Sequence, residues 1–198
     1  MKKSVKVLMI LLIGSLSFSA NAQIFGVKAG LGLSNISSPD EVDNNFFGRA
    51  LGVKIGGTIE FDITDDLYVG SGLGFAKKGA STVGDTYNTF YLEIPLNARY
   101  DIVELGGSGY LYAQSGFNIG YMLAANRGGN KVNIGSDPVD DYFKPFDLGL
   151  NFGVGVIFDE RFEIGLVTEF GLVNIYANDL STLRNSSLLV SFGYKFGM

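Results

Sequence analysis

From Phe146 to Phe158 the chain alternates. Large apolar side chains stand at Phe146, Leu148, Leu150, Phe152, Val154, Val156 and Phe158. Between them lie Asp147, Gly149, Asn151, Gly153, Gly155 and Ile157. A period of two sustained this long is a β-strand, and it exceeds the usual soluble strand of about five or six residues. One face is oily and the other is small or polar. In a bilayer every backbone polar group must be paired within the structure, so such a strand belongs in a closed barrel with its oily face outward. A water-soluble carrier barrel would reverse the faces. The Gly-rich face, with few charges, would make a poor solvated surface and a good crowded interior.

The pattern predicts eight strands, at about 24–35, 46–61, 67–77, 89–100, 110–124, 146–158, 162–174 and 187–196. The connections alternate in length. Those near 36–45, 79–88, 125–144 and 176–186 are longer and polar, and those at 62–66, 101–109 and 159–161 are short. Outer-membrane barrels have short periplasmic turns and longer external loops. The expected fold is therefore an all-β, eight-stranded antiparallel up-and-down transmembrane β-barrel with both termini on the periplasmic side. Glycine is abundant at 28 residues while proline numbers 4. Because the glycines alternate with large apolar residues, they read as space-saving inward positions of a narrow barrel. Gly79, Gly128 and Gly129 read as turn formers. Outward aromatics such as Phe25, Phe61, Tyr100, Phe162 and Phe196 at one end, and Phe47, Phe75, Phe90 and Tyr121 at the other, suit two interfacial girdles.

The first 22 residues read as a signal peptide. Lys2, Lys3 and Lys6 precede the apolar run Val7 to Ile13, and Ala20-Asn21-Ala22 is a small-x-small cleavage site. Residues 23–198 then form the barrel domain. Removing the signal takes three of the 15 Lys and Arg and none of the 20 Asp and Glu, leaving the mature chain at −8. An acidic exported chain argues against nucleic acid as a partner. The expected partners are the lipid bilayer and lipopolysaccharide, with other envelope or surface proteins as further candidates.

The chain has no His and no Cys. Ser-His-Asp chemistry, a Cys nucleophile and Cys/His metal sites all lack their reagents. No catalytic residue, cofactor or metal site is expected, and the chain reads as a non-enzyme. The candidate site is a polar network inside the lumen. Lys28, Lys54, Arg99 and Lys195 face Glu60, Glu93, Asp147, Glu163 and Glu169 across it. Charges in a narrow barrel must pair or be hydrated. Eight strands leave an interior just wide enough for side chains, so the network reads as a plug. A gated ion path lined by the same charges, or a small-ligand space, is the sharper alternative. Two acidic groups mark the loops, Asp40, Glu41 and Asp43 in the first and Asp137, Asp140 and Asp141 in the third. They match no calcium-loop spacing and read as solvated. Arg49 lies on the oily face near the first loop, in reach of a headgroup phosphate.

The stretches FGVKAGLGLSNIS (25–37), YLEIPLNARY (91–100), LGLNFGVGVIF (148–158), RFEIGLVTEFGLVNI (161–175) and LLVSFGYKF (188–196) resemble the PorT-like outer-membrane β-barrel (porin) family of Bacteroidetes type. The resemblance covers the mature chain and carries strand patterns with no catalytic signature. It implies an outer-membrane barrel, and its name implies an accessory role in secretion or envelope assembly. It does not imply conduction.

Overall fold

The computed structural model describes residues 23–38, 47–107, 109–178 and 181–196. The signal segment and Asp40, Glu41 and Asp43 lie outside them. The strands are β1 (Gln23–Ser37), β2 (Gly48–Asp62), β3 (Leu67–Ser81), β4 (Thr86–Glu104), β5 (Tyr110–Arg127), β6 (Asn130–Lys131), β7 (Phe146–Phe158), β8 (Phe162–Gly171) and β9 (Arg184–Phe196). All named strand pairs are antiparallel. The order runs β4-β3-β2-β1-β9-β8-β7-β5, and a β4–β5 pairing closes the ring. The two-residue β6 folds back on the end of β5 and adds nothing to the wall. The barrel thus has eight strands in up-and-down order, and closure leaves no strand edge among them.

The burial pattern is that of a soluble protein turned inside out. Outward residues such as Phe25, Leu31, Ile55 and Phe75 are more than half exposed, whereas Glu93, Asp147, Glu163 and Glu169 are buried. Only hydrocarbon makes that arrangement favourable over a whole wall. Close approach inside the lumen depends on inward glycines. A Cβ on either Gly155 or Gly165 would stand 2.5 Å from the Tyr112 hydroxyl, so these glycines form the bed of a large buried ring. The β7–β8 turn reverses through Asp159 and Glu160, both left-handed (φ 47° and 59°), and Arg161 N donates to Phe158 O at 3.0 Å. This conformation matches the right-handed twist of the flanking strands.

The connection near 79–88 is shorter than its composition predicts. β3 runs on to Ser81 and β4 starts at Thr86, which leaves a turn over 82–85 closed by Thr82 N donating to Asp85 O at 2.7 Å. Gly79 is extended backbone inside β3 and not a turn former. Polar residues suggested a loop there, yet they lie on strands that rise beyond the apolar wall. Asp101 likewise belongs to β4 and not to a turn. The long connections after β5 and β8 do not hang in solvent. Phe143 and Ile175 turn inward to zero exposure and join Ile36, Tyr87, Tyr91 and Met122 in an apolar cluster across the outer mouth. Backbone hydrogen bonds knit this cap: Lys144 N to Ile175 O (2.8 Å), Ala177 N to Tyr142 O (3.0 Å) and Ile175 N to Leu183 O (2.9 Å).

Candidate functional site

Strand alternation aims the even positions of β1 to β3 and the odd positions of β4 and β7 to β9 into the lumen, and there the charged residues gather into two clusters. The cluster nearer the short turns is built on Glu60. Its Oε2 accepts from Lys195 Nζ at 2.7 Å and from Arg99 Nη2 at 3.3 Å. Arg99 also pairs with Asp101, and its guanidinium carbon sits over the Tyr68 ring, 3.8 Å from its centroid. Beside it, Lys28 Nζ meets Glu163 at 2.5 Å, and the Tyr112 hydroxyl donates to the same carboxylate. Three cations here match three carboxylates.

The outer cluster is built on Lys78. Its ammonium lies 2.8 Å from Glu93 and 3.4 Å from Asp147, and it also contacts Glu169. Lys54 meets Glu93 at 2.5 Å and Glu169 at 4.0 Å. Amides complete the set. Asn118 donates to Glu169 at 2.5 Å, and Asn185 donates to Asp147 at 2.8 Å and to the Tyr91 hydroxyl at 2.9 Å. In a low dielectric such groups are tolerated only with partners of this kind.

The two clusters thus contain Lys28, Lys54, Glu60, Glu93, Arg99, Asp147, Glu163, Glu169 and Lys195. Sequence reading missed Lys78 and Asp101. A third strand ended at Lys77 excludes Lys78, yet the parity that sends Lys54 inward in β2 sends Gly74, Ala76 and Lys78 inward in β3. Extending that strand by one residue finds it. Asp101 follows in the same way from the odd row of Glu93, Asn97 and Arg99.

Between the clusters lies a cavity of about 90 Å³. Lys28, Lys54, Gln114, Asn118 and Asn151 line it, and the inward glycines Gly30, Gly56, Gly70 and Gly74 leave the space between them. Its lining mixes these polar side chains with apolar surface from Leu73, Val167 and Leu189. Above the outer cluster the apolar cap begins. Tyr142 stacks on Tyr87 (5.5 Å between centroids), Tyr176 packs edge-on against Tyr142, and Arg127 lies over Tyr87 while pairing with Asp85 at 3.0 Å. Burial first, and the Tyr87 hydrogen bond second, hold the Tyr142 phenol above its ordinary titration range. The third-loop carboxylates serve their own turn: Asp141 Oδ2 accepts from Asp137 N at 3.0 Å, and Asp137 Oδ1 accepts from Val139 N at 2.9 Å. Among the described residues no group of His, Cys, Asp and Glu is arranged to hold a metal ion.

Residues 19–177 match the family described as outer membrane protein beta-barrel domain. No curated protein matches the chain. Among solved structures, Neisserial surface protein A (NspA) aligns with a TM-score of 0.53 at 15% identity, covering 87% of this chain and 97% of that one. The outer membrane protein OprG of Pseudomonas aeruginosa aligns at 0.45 and 12% identity, covering 89% and 97%. Ail, the attachment invasion locus protein of Yersinia pestis, aligns at 0.42 and 14% identity, covering 88% and 99%. At 15% identity the likeness to NspA is one of fold. The closed eight-stranded wall, its apolar outer face and the family match over most of the chain agree: this protein is an integral β-barrel of the bacterial outer membrane and belongs to the outer membrane protein beta-barrel domain family.

Proposed function

We propose that this barrel works at its outer surface and not through its lumen. The observation that carries the reading is closure in series. An ion entering from outside meets the apolar cap around Phe143 and Ile175, then the Lys78 cluster, then the Glu60 cluster. Each charged cluster resists opening, because separating a buried pair leaves a charge unpaired at a cost of about 3–5 kcal/mol. What remains available for contact is the cap, with its tyrosines and the exposed tips at Val83 and Val139. The absence of His and Cys supports a role without catalysis.

Contact with lipopolysaccharide is part of this proposal. Lys77 and Arg184 stand on the outward rows of β3 and β9 near their outer ends, whereas the register shift in β2 pairs Arg49 with the buried Ala80 and takes it off the oily row where its sequence position had put it. Lys77 follows Leu73 and Phe75 and is flanked across the ladder by Val53 and Phe90. A cation there reaches lipid phosphates with its stem in the apolar zone. The competing reading, a narrow channel or small-solute binder, draws on the cavity of about 90 Å³ between the clusters. The PorT-like likeness favours a third reading, an accessory role in secretion or envelope assembly, and rests on strand motifs alone.

Single-channel recording on refolded protein in planar bilayers separates the first two, with heat-modifiable gel mobility confirming the fold. Folded protein without conductance supports the surface reading. Stable ion-selective steps that change on Glu169→Gln refute it. For the lipid component, replacing Lys77 and Arg184 by Ala should weaken binding to lipopolysaccharide vesicles and leave binding to phospholipid vesicles unchanged.

A further inference from the structure

The two lumen clusters differ in charge balance. The inner one matches three cations with three carboxylates. In the outer one two ammonium groups, Lys54 and Lys78, face three carboxylates, Glu93, Asp147 and Glu169, a deficit of one positive charge. All three carboxylates are buried, so water screens little of the excess. The excess falls on Asp147. Both lysines hold Glu93 and Glu169, whereas among the described residues Asp147 pairs with Lys78 alone, at 3.4 Å. Its Oδ2 accepts from Lys78 and Asn185, while its Oδ1 is buried and accepts from no described residue. Asn185, 1% exposed, is aimed into the same place, its Nδ2 donating to Asp147 Oδ2 at 2.8 Å and to the Tyr91 hydroxyl at 2.9 Å. The Asn185 Oδ1 is likewise buried and without a partner among the described residues. Turning the carboxamide over would set that oxygen against the Asp147 carboxylate, so its orientation is fixed. Gly120 lies across the β5–β7 ladder from Asp147, and a Cβ there would stand 3.3 Å from the Asp147 Cβ and 3.4 Å from the Tyr91 ring. This glycine keeps the space between carboxylate and phenol free of side chain.

We infer that Asp147 and Asn185 hold one alkali-metal cation, sodium or potassium, beneath the apolar cap. Two independent observations meet here. Buried acceptor oxygens without donors call for a partner, and the cluster around them is one positive charge short. A water molecule would serve the oxygens and leave the charge deficit in place, whereas a monovalent cation answers both. A divalent ion would turn the deficit into an equal excess. The ligands are the Asp147 carboxylate, the Asn185 amide oxygen and the neighbouring Tyr91 hydroxyl, hard oxygen donors that suit a cation of this kind. One carboxylate with neutral oxygens differs from the His, Cys and multiple carboxylate sets of transition-metal and calcium sites. Burial strengthens the attraction. Tyr91 belongs to the cap cluster, and so does Ile36, the cross-strand partner of Asn185, so the ion and Asp147 meet where the dielectric is low.

The test exchanges the cation. Refolded protein in a zwitterionic detergent is titrated with urea in NaCl, KCl and choline chloride at equal ionic strength, so that screening is common to all three. The midpoint should be higher in NaCl or KCl than in choline chloride, by about 1 M where the ion stands near 100 times its Kd. Sodium-23 NMR of the folded protein should show line broadening that KCl competes away and choline chloride does not. Asp147→Asn removes the deficit and should abolish both responses. Asn185→Ala leaves every charge in place and should weaken binding of the ion at least fivefold, which keeps the inference testable if Asp147→Asn fails to fold. Asp65→Asn with Asp66→Asn, exposed at a short turn, is the control and should respond as the parent does. Equal midpoints in the three salts with no competed broadening would overturn the inference. So would a response kept in Asp147→Asn and lost in the turn variant, or a stronger response to CaCl2 than to NaCl at equal ionic strength. If a shared proton meets the deficit instead, the parent shows no difference between the salts and Asp147→Asn raises the midpoint equally in all three, which also overturns it.

Discussion

Lys78→Met is the most informative single change. Lys78 is nearly fully buried, and its ammonium touches Glu93, Asp147 and Glu169. Methionine keeps most of the stem and removes the charge. Lys54 then faces all three carboxylates alone, and it already lies 4.0 Å from Glu169. Breaking a buried ion pair from one side costs about 3–5 kcal/mol, mainly because the surviving charges lose their partner. Unfolding should be followed by tyrosine fluorescence and gel mobility in urea, since the chain has no Trp. With a slope of about 2–3 kcal/mol per molar urea, the midpoint should fall by about 1–2 M. Adding Glu169→Gln to the same chain removes one orphaned charge and should restore at least half of the loss. The exposed Arg127–Asp85 pair is the reference, and Arg127→Ala should cost below about 1 kcal/mol. A Lys78→Met loss no larger than that of Arg127→Ala would mean that the lumen is well hydrated, and the argument for a closed interior would fail.

Other changes probe other parts of the molecule. Gly155→Ala should destabilise by about 1–3 kcal/mol, since its Cβ would press on the Tyr112 hydroxyl and on Ile164 O. Adding Tyr112→Phe should recover part of that loss in the same urea titration. Glu160→Gly should stabilise by about 0.5–1 kcal/mol, because its left-handed backbone suits glycine, and an unchanged midpoint would count against that account of the turn. Phe143→Ala should loosen the cap while the wall persists, so limited proteolysis should cut within 128–145 and leave heat-modifiable mobility intact. Tyr142 favours its neutral form when folded, so its contribution to cap stability is complete below about pH 10 and declines as pH rises above that. Hydrogen exchange of the cap amides at rising pH, corrected for intrinsic rate, reads this decline. A flat protection profile would contradict it.

The period of two determined the fold, because it leaves one oily row per strand, and a closed ring in hydrocarbon satisfies both that row and the backbone. It also determined which charges point inward, since parity alone sends Lys54, Glu93 and Glu169 to the lumen. Composition misplaced strand ends. Lys78 and Asp101 lie where polar residues resemble loops, although the ladder continues through them. Only the tertiary structure decided which charges pair, because Lys78 and Glu169 come from strands distant in sequence and meet only after closure. It alone revealed the apolar cap, since Phe143 and Ile175 sit in segments with no periodicity, and their burial depends on two long connections folding over the same mouth.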